Sequence, residues 1–316
     1  MTHEKTQALM NEINAAFKSN VLTTASDPNY EVTCLPTGLL PIDLLLHGGL
    51  PRGRFVEIYG DFCVTPDTKI LTDALSWAPA GEVVEGYGLV GFDERVKGSK
   101  QGHSAKLMPS EVEATGMKKL QCVRIITDKG EITCSVGHGL VGRHRTQKSR
   151  TWFRAGDLVV GDSLVWTAEP WDLKNDRDAG YIAGLFDGEG WIDGSRVSFG
   201  QNPGIVLDRG IDALKRLGFT VTVQPQSQNE VMRVSVTGGR FEAMKLIGQC
   251  RPYRMLENSP KLWVGKGLVN KGPFCEPGSG QATVLAVEFV GKQDVVTLQT
   301  SSKTYIANGF PSHNST

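Results

Sequence analysis

The most constraining feature of the sequence is a nucleotide-binding loop that begins and does not finish. Residues 55–60, FVEIYG, are typical of an apolar strand that runs into a glycine, as at the start of a G-x-x-x-x-G-K-[ST] loop. No Gly-Lys pair follows. Instead, Cys63 opens a stretch of different texture, CVTPDTKILT. The chain is therefore expected to change domain at this cysteine.

Before the cysteine, the sequence predicts a partial α/β unit. Apolar spacing indicates an amphipathic helix at residues 5–19 and a second helix from Leu39 to Leu46. A strand is predicted from Phe55 to Tyr59. Together these elements make half of a nucleotide-binding unit.

After the cysteine, the predicted secondary structure changes from β to mixed α/β and then back to β. Short strands between Gly and Asp turns predict an all-β domain that starts at Cys63. The charged segment 168–178 is predicted as a linker, and a block of mixed helices and strands follows it. A Pro/Gly-rich boundary at 270–281 then leads back to β texture. We expect the α/β block to be inserted in the β domain, which itself interrupts the nucleotide-binding unit.

Composition narrows the choice of partners and compartments. With 34 Lys+Arg against 34 Asp+Glu, the net charge alone indicates neither a nucleic acid nor a membrane partner. The 6 cysteines lack any CxxC pair, which disfavours a disulfide framework or a structural zinc site. No apolar run suits a signal peptide or a membrane span. We expect a cytoplasmic protein without a membrane partner.

The two ends of the β domain carry reactive residues that complement one another. Cys63 offers a thiolate, a strong nucleophile and a good leaving group. The other end, YIANGFPSHN, closes with His313 and Asn314 and is followed by the hydroxyl of Ser315. Taken singly, the cysteine is more often a small buried apolar residue and the tail an irregular terminus. Taken together, the two ends resemble those of the intein family.

That resemblance implies self-catalysed protein splicing by a mainly β, horseshoe-like Hint domain. Cys63 would attack the carbonyl of Phe62 and form a thioester, which Ser315 would then attack. Asn314 would cyclise and release residues 63–314, after which Phe62 and Ser315 are joined. No cofactor is implied for splicing.

Inteins commonly carry a T-x-x-H motif that acts on the first scissile bond, and TCSVGH supplies a related pair, Ser135 and His138. The resemblance implies that His138 donates a proton to the Phe62–Cys63 amide nitrogen, although a lone histidine is more often structural. His313 would assist Asn314. Two positions depart from the family pattern, namely Thr297, where many inteins carry Asp, and Lys303, near where many carry His.

Joining the flanks of the β domain supplies the missing loop. The first five positions of the loop pattern would be filled by Gly60, Asp61, Phe62, Ser315 and Thr316. The preceding LPTGLLPIDLLLHGGLPRGRFVEIYG resembles the segment before the phosphate loop of RecA-like recombinases. This implies a host that binds ATP and Mg²⁺ only after splicing. A protein that is mainly ATP-binding is the rival hypothesis, which the lack of an intact loop disfavours.

The inserted block opens with YIAGLFDGEG, from Tyr181 to Gly190. Gly184 and Gly188 share one helical face, so a second such helix can approach closely. Gly190 is expected to end the helix in a left-handed conformation. The stretch resembles the LAGLIDADG motif of homing endonucleases. The resemblance implies that Glu189 binds Mg²⁺ or Mn²⁺ and that the protein cuts double-stranded DNA near the insertion site.

A single copy of the motif implies a homodimer in which each chain supplies one α-β-β-α-β-β-α half. Between residues 179 and 271, twelve Lys and Arg face eight Asp and Glu, a balance that suits a DNA backbone. Gln201 is a candidate for positioning water or metal. Arg254 and Lys261 are candidates for phosphate contacts, and all three are equally typical of a solvated surface. A splicing-only chain with an inactive nuclease remains the alternative.

The predicted fold class is thus a mainly β splicing domain with an inserted α/β endonuclease domain and a short RecA-like segment in front. The predicted segments are the RecA-like N-extein at 1–62, splicing domain at 63–168, endonuclease at 169–270, splicing domain again at 271–314, and C-extein at 315–316.

Overall fold

The computed structural model describes residues 3–18, 22, 33–54, 56, 62–94, 105–146, 150–225, 231–269 and 280–314. It divides into two compact units, Met1–Ile58 and Tyr59–Thr316. Within the described ranges, no helix is both long and apolar enough to cross a membrane. The described cysteines are all free thiols.

The first unit contains two helices and a two-stranded ladder. These are α1 (His3–Phe17), β1 (Cys34–Leu35), α2 (Leu40–Leu45) and β2 (Leu50–Pro51), with β1 antiparallel to β2. Asp43 accepts hydrogen bonds from the Thr37 amide at 2.8 Å and from its hydroxyl at 2.7 Å, which fixes the turn before α2. The two predicted helices are therefore confirmed. The predicted strand at 55–59 lies outside the described residues, except for Val56.

The second unit begins and ends with strands and holds a helical block between them. The opening strands are β3 (Cys63–Val64), β4 (Lys69–Leu71), β5 (Trp77–Pro79), β6 (Gly88–Phe92), β7 (Leu107–Thr127), β8 (Gly130–Ser135), β9 (Gly139–Arg143), β10 (Thr151–Arg154) and β11 (Ser163–Val165). The block comprises α3 (Arg177–Glu189), β12 (Gly190–Asp193), β13 (Arg196–Gln201), α4 (Ile205–Arg216), β14 (Val221–Pro225), β15 (Met232–Val236), α5 (Arg240–Cys250), α6 (Tyr253–Asn258) and α7 (Pro260–Trp263). The closing strands are β16 (Gln281–Thr300), β17 (Thr304–Ala307) and β18 (Phe310–His313).

The opening and closing strands form one sheet. Its order is β5-β4-β17-β18-β9-β11-β16-β3-β8-β7-β6, with β10 paired to β9. The long strand β16 therefore pairs with β11, β3 and β7, and so joins the last part of the chain to the first. The predicted mainly β domain, interrupted by an α/β block, is confirmed.

The α/β block is inserted between neighbouring strands. Val165 at the end of β11 pairs with Gln281 at the start of β16, so the chain leaves and rejoins the sheet at the same place. The block has its own four-stranded sheet, β12-β13-β15-β14. The Phe186 and Phe199 rings meet edge to face in its core, with centroids 5.5 Å apart. The chain order of α3 to α5 matches the predicted α-β-β-α-β-β-α half.

The segment predicted as a linker joins β11 to α3 without a helix or strand of its own. It is packed, because Trp171 is buried and its indole donates to the Leu75 carbonyl at 3.1 Å. The predicted left-handed end at Gly190 is wrong, since this residue is extended with φ of −86°. A side-chain carbon there would lie 2.5 Å from the Phe186 carbonyl oxygen. The glycine is therefore required by close approach of the strand to the helix.

Helix α5 docks on the turn between β4 and β5 through a glycine, which gives a test of this contact. A Cβ at Gly248 would lie 2.1 Å from the Leu75 carbonyl oxygen and 2.4 Å from the Trp171 indole nitrogen. We expect Gly248→Ala to lower the free energy of unfolding by about 1–3 kcal/mol, measured by urea denaturation.

The matched control is Gly180→Ala in α3, where an added Cβ has no neighbour within 4 Å. It should keep or raise stability, by up to about 1 kcal/mol, because alanine favours a helix over glycine. Equal behaviour of the two variants would contradict this account of the α5 contact.

Candidate functional site

Cys63 lies at the centre of the sheet, on the short strand β3 between β16 and β8. It is fully buried and pairs across the ladder with Thr297. Its backbone N–H donates to the Ser135 hydroxyl at 3.1 Å. The nitrogen of the Phe62–Cys63 peptide is thus held by a side-chain hydroxyl, at the position where the sequence predicted one.

The Ser135–His138 turn places an imidazole beside the same peptide. The His138 amide donates to the Ser135 carbonyl at 2.9 Å and closes the turn. Both ring nitrogens of His138 are buried and lack a well-formed hydrogen-bond partner among the described residues. Burial, with a smaller contribution from His313, lowers the pKa of His138 to about 3, while the Phe62 backbone acts in the opposite direction. His138 is therefore a neutral imidazole at physiological pH.

Two further thiols surround Cys63 without competing as thiolates. Cys122 and Cys134 are buried and interact electrostatically with Cys63. Burial is the main cause that raises the pKa of Cys122 and, more strongly, that of Cys134. Both side chains therefore stay protonated at neutral pH.

Strand β18 brings the end of the chain to this position. It pairs with β9 through Ser312 and Leu140, so His313 lies next to the turn that carries His138. The Phe62 and His313 rings have centroids 5.3 Å apart. Gly139 makes this approach possible, since a Cβ there would lie 3.0 Å from the His313 Cβ and 3.7 Å from the Phe62 ring. The two junctions of the predicted intein therefore meet.

Asn314 is buried and held by the turn between β16 and β17. The backbone N–H of this buried residue donates to the Lys303 carbonyl at 3.0 Å. In the orientation that satisfies both side-chain groups, Nδ2 donates to the Lys303 carbonyl at 3.1 Å and Oδ1 accepts from the Thr300 N–H at 3.0 Å. Lys303 itself has φ of 62°, and its ammonium is exposed.

His313 contacts an acid that the sequence did not single out. Its Nδ1 lies 3.0 Å from the Asn314 carbonyl oxygen, and its Nε2 lies 3.1 Å from Glu94 Oε1. Glu94 is 219 residues away in the chain, in a stretch without a recognisable motif. Its proximity to His313 could not be inferred from spacing.

Thr297 and Lys303, the two departures from the family pattern, both lie close to this centre. The Thr297 hydroxyl donates to the Gly116 carbonyl at 3.2 Å. Lys303 Nζ lies 3.8 Å from Glu94 Oε2. The loop residues Gly60, Asp61, Ser315 and Thr316 lie outside the described residues, so the contacts of the rejoined loop stay a prediction.

A second site lies in the inserted block, at the end of α3. A cavity of about 440 Å³ is lined by Gly188, Glu189, Gly190, Trp191, Gly200, Gln201, Asn202, Val231 and Arg254. Glu189 is exposed, and Gln201 shares its cavity. The lone carboxylate and the amide oxygens are donors that Mg²⁺ accepts. No group of three or more acidic, His or Cys side chains suited to a metal occurs in the described part of the chain.

The two basic candidates differ in their surroundings. Arg254 also lines the cavity, but its guanidinium donates to the Phe186, Asp187 and Gly190 carbonyls at 2.7–2.9 Å. It therefore closes the carboxyl end of α3. Lys261 donates to Asn258 Oδ1 at 2.6 Å and is absent from the described lining.

One face of α3 is open. Gly180, Gly184 and Gly188 are exposed, and an added Cβ at any of them would meet no neighbour within 4 Å. Successive glycines four residues apart form a flat stripe on a helix, against which another backbone can pack.

Comparisons with known proteins support two of the resemblances. Residues 176–241 match the family model of a LAGLIDADG-like domain. A DNA repair protein recA homolog 1 of Arabidopsis thaliana is 47% identical over 55 residues, 17% of this chain and 12% of that protein. Protein RecA of Thermus thermophilus is 43% identical over 65 residues, 19% of each. The chain thus spans less than a fifth of these relatives. The predicted LAGLIDADG and RecA-like resemblances are confirmed.

Several solved structures similar to the chain are inteins. The Ssp DnaB mini-intein variant M86 has a TM-score of 0.39 at 10% identity, covering 83% of this chain and 98% of that one. A DnaB intein from Synechocystis sp. PCC 6803 has a TM-score of 0.36 at 9% identity, covering 80% and 97%.

The buried neutral imidazole predicts a pH-dependent stability. His138 titrates near 6.5 in the unfolded chain and at about 3 when folded, so the unfolded chain binds the extra proton between these values. The neutral His138 contributes its full stabilisation above pH 6.5. As the pH falls below this value, the free energy of unfolding decreases by up to about 1.4 kcal/mol per pH unit. We expect the urea midpoint to fall less steeply from about pH 6 to pH 4 in His138→Phe than in the wild type.

Phe310→Leu, which removes buried apolar volume without a titrating group, should lower the midpoint and leave this slope unchanged. If His138→Phe also has the wild-type slope, His138 is not the buried neutral group described above.

Proposed function

We propose that residues 63–314 of this chain are an intein that excises itself and joins Phe62 to Ser315. The observation that carries the proposal is the meeting of the two junctions. The Cys63 amide is bound to Ser135, and the Phe62 ring lies against His313, which precedes Asn314.

The first step converts the Phe62–Cys63 amide into a thioester. The Cys63 thiol attacks the Phe62 carbonyl carbon, and the C–N bond breaks. A neutral His138 beside this peptide can accept the thiol proton and return it to the leaving nitrogen. The Ser135 hydroxyl holds that nitrogen in place. The step consumes no cofactor because the number of protons and electrons is unchanged.

The later steps transfer and release the acyl group. The Ser315 hydroxyl attacks the thioester carbonyl carbon, the C–S bond to Cys63 breaks, and the hydroxyl proton passes to the released Cys63 thiolate. The resulting ester joins the two flanking segments through the Ser315 side chain. Asn314 Nδ2 then attacks its own carbonyl carbon, forms a succinimide and breaks the bond to Ser315. The freed amine takes the acyl group from its own hydroxyl and leaves a normal peptide bond. In the orientation that satisfies both side-chain groups, Nδ2 donates to the Lys303 carbonyl, so the amide must rotate before it attacks.

Splicing would restore the phosphate loop of a RecA-like host. Gly60, Asp61, Phe62, Ser315 and Thr316 would become consecutive, at the start of a loop that binds the phosphates of ATP with Mg²⁺. The short matches to RecA proteins support this host.

Single substitutions separate the two cleavages. Cys63→Ala should abolish thiol-induced release of residues 1–62 but retain loss of Ser315–Thr316. Asn314→Ala should retain thiol-induced release of residues 1–62 and abolish loss of Ser315–Thr316, because only Asn314 supplies the amide that cyclises. Both variants should fail to splice, as measured by intact mass spectrometry.

Cys250→Ala is the matched control, since this thiol is also buried but lies in α5 of the inserted block and not in the sheet that carries Cys63. It should splice within a fewfold of the wild-type rate. Splicing by Cys63→Ala would refute the assigned nucleophile.

The inserted domain would act as a homing endonuclease on double-stranded DNA near the insertion site. The open glycine face of α3 suits a second copy of the same helix, which would bring two Glu189 residues together at the helix ends. Each chain supplies one exposed carboxylate, so a metal site becomes more complete in the dimer. Bound Mg²⁺ or Mn²⁺ would activate water and stabilise the charge on the phosphate. Gln201, in the same cavity, is placed to orient that water.

Cutting of the uninterrupted host gene tests the nuclease. We expect Mg²⁺- or Mn²⁺-dependent cleavage by the wild type and a loss of at least about a hundredfold in Glu189→Gln, because a carboxylate ligand is removed. Gly184→Leu should reduce both cleavage and the dimer population in sedimentation, since the side chain blocks the flat face.

Lys261→Ala should change cleavage only modestly, because Lys261 lies outside the described cavity lining. No cutting under any of these conditions, with splicing retained, would identify a splicing element with an inactive nuclease.

A further inference from the structure

Glu94 is fixed at the splicing centre by contacts that do not involve its carboxylate. Its carbonyl accepts a hydrogen bond from the Trp152 indole at 3.1 Å. The preceding Phe92 stacks on Trp152, and its amide donates to the Thr304 hydroxyl at 2.8 Å. The backbone of Glu94 is therefore held between β10 and β17, which restricts the positions that its side chain can reach.

The carboxylate of Glu94 contacts the Nε2 atom of His313. Glu94 Oε1 lies 3.1 Å from Nε2, and the other ring nitrogen lies 3.0 Å from the Asn314 carbonyl oxygen. A carboxylate and a carbonyl are both acceptors, so the ring must donate from both nitrogens to make both bonds. Only the imidazolium form has two N–H donors.

The remaining surroundings of His313 leave this role to the carboxylate. The Trp152 ring meets the imidazole edge-on at 5.1 Å, and the Phe62 ring lies 5.3 Å away on centroid distances. His138 interacts with it electrostatically. The Lys303 ammonium lies 3.8 Å from the other oxygen of Glu94 and is exposed, so it adds little to the pair.

We infer that Glu94 is a positioning residue for the cyclisation of Asn314, an inference that rests on the proposed splicing function. Glu94 holds His313 as a double donor, and the Nδ1–H polarises the Asn314 carbonyl. The Asn314 Nδ2–C bond forms at that carbon, and the C–N bond to Ser315 breaks. One proton passes from Nδ2 to the freed Ser315 amine, so the step is balanced.

Glu94 also supplies an acidic contact to His313 that neither Thr297 nor Lys303, the two departures from the family pattern, can supply. The Thr297 hydroxyl is bonded to the Gly116 carbonyl, and the Lys303 ammonium cannot accept a proton from His313. Within the described residues, His313 has its acid contact from Glu94. Glu94 is thus expected to affect the Asn314 step and to leave the Cys63 step alone.

The test measures the two steps separately in the full chain. In a Cys63→Ala background, loss of Ser315–Thr316 is followed by intact mass. Glu94→Gln should slow it by about ten- to a hundredfold, the range of a hydrogen bond to a charged group. Glu94→Asp, which keeps the charge, should recover most of the rate. In an Asn314→Ala background, Glu94→Gln should leave thiol-induced release of residues 1–62 unchanged.

Glu85→Gln is the matched control, because Glu85 is an exposed acid of the same strand-and-turn region. It should leave both rates unchanged. An unchanged Asn314 rate in Glu94→Gln, or equal slowing of both steps without recovery in Glu94→Asp, would overturn the positioning role while splicing stands. If neither parent background cleaves, the proposed splicing function fails and the role of Glu94 fails with it.

Discussion

The pairing of β18 with β9 is the contact on which the proposed chemistry depends. It sets Ser312 opposite Leu140 and thereby places His313 beside the turn that ends in His138. Gly139, at the start of β9, has no side chain to keep the Phe62 ring and His313 apart. One antiparallel contact thus joins two junctions that are about 250 residues apart in sequence, since a sheet can bring distant segments into register.

The same sheet explains how a second domain is accommodated. The chain leaves β11 and returns on β16 at paired residues, so the inserted block adds length without moving either strand. The block is nevertheless docked, because α5 approaches the turn at Leu75 closely enough to require glycine at position 248. The proposed splicing and the proposed DNA cutting can therefore share one chain while using separate residues.

Much of the splicing centre could be predicted because its residues lie in short local patterns. Cys63 follows an interrupted loop, Ser135 and His138 are three apart, and the His313–Asn314 pair ends the last strand. Glu94 could not be predicted, since its approach to His313 depends on Trp152 and Thr304, which hold its segment from other strands.

Local rules failed where tertiary contacts decide the conformation. A glycine at a helix end usually indicates a left-handed residue. Gly190 is instead extended and is required by the nearby Phe186 carbonyl. Likewise, the sequence offers Arg254 as a phosphate candidate or a solvated surface residue and does not indicate that its guanidinium contacts three carbonyls at the end of α3. Residue spacing in the sequence indicates neither the approach of Gly190 to the Phe186 carbonyl nor the contacts of Arg254.

Peptide mapping of the purified wild-type chain detects excision and ligation in one measurement. We expect a released species of residues 63–314 and a new peptide in which Phe62 is bonded to Ser315. An unchanged full-length chain after several days, with both the Phe62–Cys63 and Asn314–Ser315 bonds intact, would contradict this expectation.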